Sequence, residues 1–511
     1  MQTFSQALES LESYSPAEER FNRRRRTAGL VAAPVTFVLL LLLPLPLEAA
    51  PHRLAAILGL VVVLWITEAL PVSVTAMLGP VLAVVMRVAD ARTALAPFAD
   101  PIIFLFIGSF ILARAMFVHG LDRRIAYGAL SWQFVGSNPV RMLVVYGGVA
   151  AALSMWVSNT ATTAMMFPIG LSIVSHLVRT AGQDEASRRA VRRFALGLML
   201  MTSFAASIGG MATPVGTPPN LIGIGMLERI AGFRIGFFQW MALGLPLVLA
   251  LFTALALGFS LACARGLTIG VGSAALVRQE LGRLGPVSTA QRNVLVAFGL
   301  TVLLWIAPGL LAVAGLDDTP LARAYEASIP EGIAAMLGAM LLFVLPTDWR
   351  SRRFTLTWEE AARIDWGIVL LYGGGLALGS LAFSTGLAGS IGRGVTAWLP
   401  SHGTVALTAT FTAVAIVLSE TTSNTASANM IVPVAIAVSD AAGVRAVEPA
   451  LGATLGASMG FMMPISTAPN AIVYSSGFVP IGTMMRYGIW LDVLGFVVIV
   501  ATVLIGVPLL F

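Results

Sequence analysis

The amino-acid sequence predicts an all-α polytopic membrane protein with about eleven transmembrane helices, and three observations predict it. Of the 511 residues, 57% are hydrophobic and only 11% are charged, whereas about a quarter of the residues in a soluble domain are charged. Apolar runs long enough to cross a bilayer recur along the whole chain. A short polar motif also occurs twice within apolar sequence, about half a chain apart, which is typical of an internally duplicated membrane protein.

The apolar runs define the predicted spans in chain order. In the first half they cover about 29–48, 54–73, 74–91, 100–120, 194–226 and 236–264. In the second half they cover about 292–315, 332–346, 366–388, 450–475 and 485–511. An irregular stretch interrupts each half, at about 138–178 and 400–440.

The charge pattern predicts the topology. The chain contains no lysine, so its net charge of +6 comes from arginines. These lie mainly in short loops, which places the loops in the cytoplasm and argues against a nucleic-acid partner. Residues 1–28 are predicted to form a cytoplasmic N-terminal tail ending in Arg23–Arg26, and an odd number of crossings places the C-terminus outside. The predicted outer loops hold acidic residues instead: Asp317, Asp318, Glu326 and Glu331.

The repeated motif reads Ser158-Asn159-Thr160-Ala161 in the first half and Ser423-Asn424-Thr425-Ala426 in the second, about 265 residues later. The arginine distribution requires each surrounding stretch to enter and leave the membrane on one side. We therefore predict two re-entrant hairpins, the first entering from the cytoplasm and the second from outside, since irregular backbone at this depth must be buried or line a wet cavity.

Further pairs extend the duplication. The Gly-rich run through Gly108 and Gly120 resembles the run through Gly374 and Gly386, and the segment 216–220 (GTPPN) resembles 466–470 (STAPN). Each half therefore has a Gly-rich helix, a hairpin and a helix broken at proline. We interpret the halves as inverted-topology repeats.

The chemistry of these segments favours an anion accompanied by cations. A helix broken by proline leaves free carbonyls at one end and free amides at the other, and amide ends attract anions. The hairpin tips carry hydroxyls and amides but no Arg, Lys or His, so we expect no fixed protein cation beside a bound anion. Burying an uncompensated charge is costly, and sodium held by oxygen ligands would offset it. Two sodium ions would neutralise a dianion.

Other site classes find little support in the sequence. Cys263 is alone and the four histidines do not cluster, so neither a disulfide framework nor a metal centre of these residues is predicted. A lysine-free chain has no Walker motif, and no catalytic set is evident. We expect a carrier and not an enzyme, with no organic cofactor. The Asp122-Arg123-Arg124 segment is interpreted as a solvated helix end.

The paired Ser-Asn-Thr motifs, the Thr-x-Pro-Asn breaks, Trp65–Pro71 (WITEALP) and Gly120–Arg124 (GLDRR) resemble the divalent anion:sodium symporter family over nearly the whole chain past residue 29. The resemblance implies an elevator-type homodimer in the cell inner (plasma) membrane. It assigns 29–130 and 265–395 to a scaffold, and 131–264 and 396–511 to a transport domain.

The resemblance also implies the site residues. The substrate contacts are Ser158, Asn159, Thr160, Ser423, Asn424, Thr425 and Thr467. The first sodium site comprises Ser154, Ser158, Asn159 and Gly216, and the second comprises Ser419, Thr422, Asn424 and Ser466. The second break departs from the first, with one proline fewer and Ser466 where a smaller residue is expected.

We therefore expect a secondary active transporter that carries C4-type dicarboxylates (succinate, malate or fumarate) with sodium. The alternatives are a sodium-independent dicarboxylate exchanger and a sodium-coupled carrier of citrate or sulfate. Glu420, beside the second motif, is either a cation partner or a tie between the hairpin and its neighbours.

Overall fold

The computed structural model describes residues 16–135, 138–180, 184–264, 272–316, 318–399 and 401–511. The described chain is helical apart from one two-stranded antiparallel sheet. Asp317 of the predicted outer loop and residues 1–15 of the predicted tail lie outside the described residues.

The first half contains eleven α-helices within the described ranges up to residue 264. They are α1 (Pro16–Leu42), α2 (Ala49–Thr67), α3 (Val72–Val85), α4 (Ala91–Leu95), α5 (Pro101–Val118), α6 (Leu121–Leu130), α7 (Pro139–Ser154), α8 (Asn159–Thr180), α9 (Glu185–Gly210), α10 (Pro218–Ala231) and α11 (Phe237–Cys263). A short 3₁₀ helix, Ala96–Ala99, joins α4 to α5.

The second half follows a similar plan. Its elements are α12 (Gly272–Arg283), α13 (Thr289–Val313), α14 (Pro320–Ser328), α15 (Glu331–Val344), β1 (Pro346–Asp348), β2 (Arg353–Phe354), α16 (Trp358–Ala361), α17 (Trp366–Ser384), α18 (Leu387–Thr396), α19 (Thr404–Thr421), α20 (Asn424–Ala441), α21 (Val447–Gly456), α22 (Ala468–Tyr474) and α23 (Ile481–Leu510).

Ten of the described helices are long and apolar enough to cross a membrane. The number becomes eleven if α14 and α15, which meet at a bend of 68°, form one span. The prediction of an all-α polytopic membrane protein with about eleven spans is therefore confirmed.

The N-terminal end departs from the prediction. The first described helix spans Pro16–Leu42, so the Arg23–Arg26 run is helical and continuous with the first predicted span, while the cytoplasmic placement of residues 1–28 stays a prediction. The guanidinium of Arg25 lies 2.7 Å from the Glu68 carboxylate at the end of α2. This ion pair ties the start of the first span to the end of the second.

Both irregular stretches fold as helical hairpins. In the first, α7 ends at Ser154 and α8 begins at Asn159. In the second, α19 ends at Thr421 and α20 begins at Asn424. The two Ser-Asn-Thr motifs therefore lie at the hairpin tips, each where the second helix of its hairpin begins.

Both Thr-x-Pro-Asn segments restart an interrupted helix. Helix α9 ends at Gly210 and α10 resumes at Pro218, while α21 ends at Gly456 and α22 resumes at Ala468. Proline fits the first turn of a helix, where its missing N–H has no intrahelical partner. Both helices are therefore interrupted at the positions predicted from the prolines.

Close helix contacts recur between the halves. Gly108 of α5 packs on Ala335 of α15, and a Cβ at Gly108 would lie 2.6 Å from the Ala335 carbonyl carbon. In the corresponding contact, Gly374 of α17 packs on the backbone of Ala76 in α3. Small residues permit such approaches between membrane helices.

The chain turns after each Gly-rich helix at a glycine with positive φ. Gly120 (φ 63°) precedes α6 and Gly386 (φ 81°) precedes α18, a conformation that glycine adopts at little cost. Both short helices were missed by span prediction because neither contains a long apolar run.

The start of α6 is buried at Asp122, half-buried at Arg124 and exposed at Arg123, so the interpretation of 122–124 as a solvated helix end is wrong for Asp122 and Arg124. Asp122 is only 3% exposed, and this burial raises its pKa to about 6. Arg124 donates to the Gln291 side chain and to the Leu284 carbonyl, both at 2.9 Å. These bonds join α6 to the segment that opens the second half.

Candidate functional site

One cavity of about 910 Å³ brings both hairpin tips and both helix breaks together. The first tip and break contribute Ser158, Asn159, Thr160, Thr217 and Pro218, and the second tip and break contribute Ser423, Asn424, Thr425, Ser466 and Thr467. Residues about 265 positions apart therefore face a common space. All seven predicted substrate contacts line it.

Four helices begin at this cavity: α8, α10, α20 and α22. The hydroxyl oxygen of Ser423 accepts from the Ala426 N–H at 3.2 Å, and that of Ser158 lies 3.4 Å from the Ala161 N–H. The motif serines therefore cap their helices. The positive ends of four helix dipoles face one space, which favours an anion there.

Behind the first tip, oxygen atoms converge around Asn159. The Ser154 hydroxyl donates to Asn159 Oδ1 at 2.7 Å, and this oxygen lies against the Cα of Gly210. A Cβ at Gly216 would lie 2.9 Å from the Met155 carbonyl oxygen and 2.5 Å from that of Gly210. The cluster is neutral and oxygen-rich, as a sodium site requires.

The second tip repeats this arrangement. The Ser419 hydroxyl lies 2.8 Å from Asn424 Oδ1 and 2.8 Å from the Ala457 carbonyl oxygen. A Cβ at Gly460 would lie 3.0 Å from Asn424 Oδ1. The hydroxyl of Ser466, in the second break, donates to the Met463 carbonyl at 2.6 Å.

The asparagines of the two breaks hold the free carbonyl ends in place. Asn220 Nδ2 donates to the carbonyls of Gly210 (3.0 Å) and Thr213 (2.7 Å). Asn470 Nδ2 donates to those of Gly460 (3.0 Å) and Met463 (3.1 Å). Both asparagines are fully buried. The sequence marks both asparagines as part of a break, but it carries no local signal for this structural role.

The structure thus places the predicted sodium ligands in two clusters, with two exceptions. In the first cluster, Ser154, Asn159 and Gly216 converge, while the Ser158 hydroxyl caps α8 and faces the cavity. In the second, the Thr422 hydroxyl points elsewhere and donates to the Trp65 carbonyl of α2 at 3.0 Å. That bond connects the second tip to the neighbouring wall.

The lining of the cavity corrects the expectation that no fixed protein cation lies at the anion site. Three arginines line the same cavity: Arg26 of α1, Arg114 of α5 and Arg363 after α16. Glu68 and Asp365 also line it. The expectation failed because the arginines come from segments remote in sequence, and only the tertiary structure brings them to the same cavity as the tips.

A second arginine of the Arg23–Arg26 run joins α1 to the end of α2 and to the second hairpin. Arg25 donates to the Glu68 carboxylate at 2.7 Å and to the Thr421 carbonyl at 3.2 Å. With the bond between Thr422 and Trp65, it holds the second tip against α1 and α2.

Comparison with known proteins identifies the family. The sequence profile described as the sodium:sulfate symporter transmembrane region matches residues 24–511. The chain belongs to this family. Its members are membrane transporters, so the prediction of a carrier and not an enzyme is confirmed, as is the resemblance stated from the sequence.

Individual relatives in the comparison are also named transporters. The chain is 32% identical over 484 residues to the sodium-dependent dicarboxylate transporter SdcS of Staphylococcus saprophyticus, covering 94% of this chain and 91% of the relative. The same protein of Staphylococcus aureus is 32% identical over 491 residues, with the same coverage. Among solved structures, the YdaH transporter of Alcanivorax borkumensis aligns with a TM-score of 0.52 at 13% identity, covering 82% of this chain and 89% of that one. This last similarity concerns the fold alone.

Proposed function

We propose that this protein is a secondary active transporter that carries C4-type dicarboxylates together with sodium. The observation that carries the proposal is the single cavity enclosed by both Ser-Asn-Thr tips and four helix N-termini. Each tip, with the helix N-termini beside it, attracts an anion, and two such tips in one cavity suit a substrate with a carboxylate at each end. The relatives that are named sodium-dependent dicarboxylate transporters support the same substrate and ion.

We expect sodium to bind behind each tip, because a neutral cluster of oxygen atoms lies there. Ser154, Asn159 and Gly216 would hold one ion, and Ser419, Asn424 and Ser466 would hold another. Since Asn159 and Asn424 also line the cavity, a sodium ion bound behind each tip would fix the side chain that faces the substrate. Two such ions would offset the charge of the dianion, whose entry against an inside-negative potential of 100 mV otherwise costs about 4.6 kcal/mol.

We propose an elevator movement of residues 131–264 and 396–511 against a scaffold formed by 29–130 and 265–395, in a homodimer. Support comes from the cavity itself, because residues of both proposed bodies line it: the polar tips belong to the moving segments, and Arg114 and Arg363 belong to the scaffold segments. The contacts that join Arg25 to Thr421 and Thr422 to Trp65 would then break and reform in each cycle. The proposed orientation places the N-terminus in the cytoplasm and the C-terminus outside, in the inner membrane.

The experiment is uptake of radiolabelled succinate by proteoliposomes with inward sodium, potassium or no gradient. We expect uptake that requires sodium and is inhibited by malate and fumarate. Uptake of citrate or sulfate in preference to succinate would change the substrate assignment. Counterflow that persists without sodium would indicate an exchanger, and no uptake of any of these anions would refute the proposal.

A further inference from the structure

A second cavity, of about 590 Å³, lies under helix α6 and shares no lining residue with the cavity at the tips. Every residue that lines it is apolar or glycine, and its walls come from α5, α6, α7, α11 and α13 with the residues that directly follow α6 and α7. A volume of this size is typical of a ligand pocket. A lining without polar side chains offers no hydrogen bonds to a polar metabolite, so it suits a hydrocarbon chain.

The cavity opens toward the lipid-facing surface of the protein. Its lining residues Ile125, Trp132 and Leu295 are exposed and therefore mark its mouth. The same surface continues along α13, where Val296 and Leu303 are exposed in a helix that is apolar enough to span a membrane. An exposed tryptophan beside such a surface is typical of the membrane–water interface. The cavity is thus a groove that lipid tails can enter from the side, and we call it the α6 groove.

The α6 groove reaches the first hairpin tip. Its lining along the first hairpin runs from Val144 to Trp156, which is about 18 Å at roughly 1.5 Å per residue. One leaflet takes up about 15 Å, half of the hydrocarbon core, so the groove matches the depth that its acyl chains occupy. Trp156 lies two residues before Ser158, and its ring centroid is 5.4 Å from that of Phe298 and 6.4 Å from that of Trp305, both in α13. A chain in the groove therefore contacts both the hairpin and α13.

Three exposed arginines, here called the rim arginines, stand near the outer end of the groove on three different helices: Arg123 of α6, Arg141 of α7 and Arg292 of α13. Arg141 precedes the lining residue Val144 by three positions and Arg292 precedes Leu295 by three, so both lie on the groove face of their helices. Among the described residues none of the three forms an ion pair, and α7 and α13 contain no acidic residue. Clustered basic residues at a membrane surface attract anionic lipid headgroups.

Two contacts place the rim arginines at one face of the membrane. The Arg141 guanidinium donates to the Phe134 carbonyl at 3.2 Å and lies 4.6 Å from the centre of the Phe134 ring, so the start of α7 lies just beyond the end of α6. Near the other end of α6, Arg124 donates to the side chain of Gln291, the residue before Arg292. Helix α6 therefore connects the starts of α7 and α13 and covers the outer end of the groove. The predicted topology makes this face cytoplasmic.

We propose that the α6 groove binds an anionic phospholipid of this leaflet, with one acyl chain between the first hairpin and α13 and the headgroup at the rim arginines. The apolar lining binds the chain, because each methylene that leaves water stabilises the complex. The arginines select the headgroup, because they attract a net negative charge and discriminate against a zwitterion on the same chains. The site goes beyond the proposed function and does not depend on it, since lipid binding is measured without transport.

The test is native mass spectrometry of the detergent-purified protein, titrated with phosphatidylglycerol or with phosphatidylcholine of identical acyl chains. We expect one phosphatidylglycerol per protomer to bind more tightly than any phosphatidylcholine. One arginine near an anionic headgroup strengthens binding about fivefold, so Arg141→Gln and Arg292→Gln should each weaken the first phosphatidylglycerol by about that factor. The matched control is Arg179→Gln, because Arg179 is exposed in the last turn of α8, in the same hairpin, and does not line the groove. The control should bind like the wild type.

A second variant tests the acyl chain without changing a charge. A Cβ at Gly148 meets only the Phe252 ring, at 3.7 Å, so Gly148→Leu extends into the groove without a backbone clash. We expect it to weaken the first phosphatidylglycerol at least about tenfold, because the displacement of two buried methylenes already has that effect. Leu295→Trp narrows the mouth from an exposed position and should weaken binding in the same direction, which keeps the test open if Gly148→Leu does not fold.

Several outcomes would overturn the inference while leaving the proposed function intact. Equal affinity of the wild type for the two lipids would remove the role of the rim arginines, and so would an equal loss in the Arg179→Gln control. Wild-type lipid binding by folded Gly148→Leu or Leu295→Trp protein would place the lipid elsewhere. A change of oligomeric state in these two variants, with lipid binding unchanged, would show that a second copy of the chain covers the groove.

Discussion

Replacing Asn159 by alanine tests the first tip most sharply. The side-chain oxygen of Asn159 accepts from Ser154 at 2.7 Å and lies against Gly210. Its removal takes one oxygen from the proposed sodium cluster and leaves the Ser154 hydroxyl without this acceptor. Loss of a group that only supports a metal ligand lowers metal affinity about 10- to 100-fold, so loss of a ligand should cost at least as much. The sodium concentration for half-maximal succinate binding should rise at least about tenfold, which corresponds to about 1.4 kcal/mol or more.

The assay is binding of labelled succinate to the purified protein over a sodium titration, with folding monitored by size-exclusion chromatography. The structure offers Asn138→Ala as a control, because Asn138 lies on the same hairpin but is exposed and caps α7 by accepting from the Val140 N–H at 2.9 Å. We expect the control to lose about 1 kcal/mol of stability with unchanged sodium dependence. An Asn159→Ala protein that binds and transports succinate at the wild-type sodium concentration would refute the site assignment.

Three further predictions follow from the same geometry. Gly210→Ala places a methyl group on Asn159 Oδ1 and should abolish sodium-dependent succinate binding in a folded protein; retention of binding would show that this oxygen is not needed. Arg114→Gln removes a charge from the cavity wall. At roughly 10 Å in water this charge attracts a dianion by about 0.8 kcal/mol. The KM for succinate should therefore rise about fourfold in low salt and little in high salt. An equal change of KM at both salt concentrations would contradict this. Burial raises the pKa of Asp122 from 3.8 to about 6, so ionising this carboxyl group lowers the free energy of unfolding. The loss is absent below about pH 3.8, grows as the pH rises toward 6, and reaches about 3 kcal/mol above pH 6. Asp122→Asn should therefore raise the Tm at pH 8 more than at pH 5, and an equal gain at both would contradict the assignment.

The sequence was sufficient for the features that have a local cause. Proline breaks the helices before Asn220 and Asn470, polar residues mark the two tips, and long apolar runs mark the spans. The duplication also predicted which residues lie together, because equivalent positions in the two halves face one cavity. Ser158 and Ser423 illustrate this, as both cap the second helix of a hairpin and line the same space.

Features that depend on packing between remote segments were not predictable in this way. Arg26, Arg114 and Arg363 occur in three different segments, and no periodicity relates them to the tips. The resemblance assigns Thr422 to a sodium site, whereas the structure shows its hydroxyl donating to the Trp65 carbonyl in another part of the chain. The packing of α23 on the second break was likewise not predicted, since it depends on Gly488 and Gly495 meeting Met462 and Met459.

The most direct test of the account is succinate binding to the detergent-purified wild type in sodium and in choline at equal ionic strength. The account predicts saturable binding in sodium that disappears in choline, because the cavity walls formed by the tips hold a dianion only with sodium bound behind them. Equal affinity in the two salts would contradict it, since the three arginines and the helix N-termini would then suffice to bind the anion.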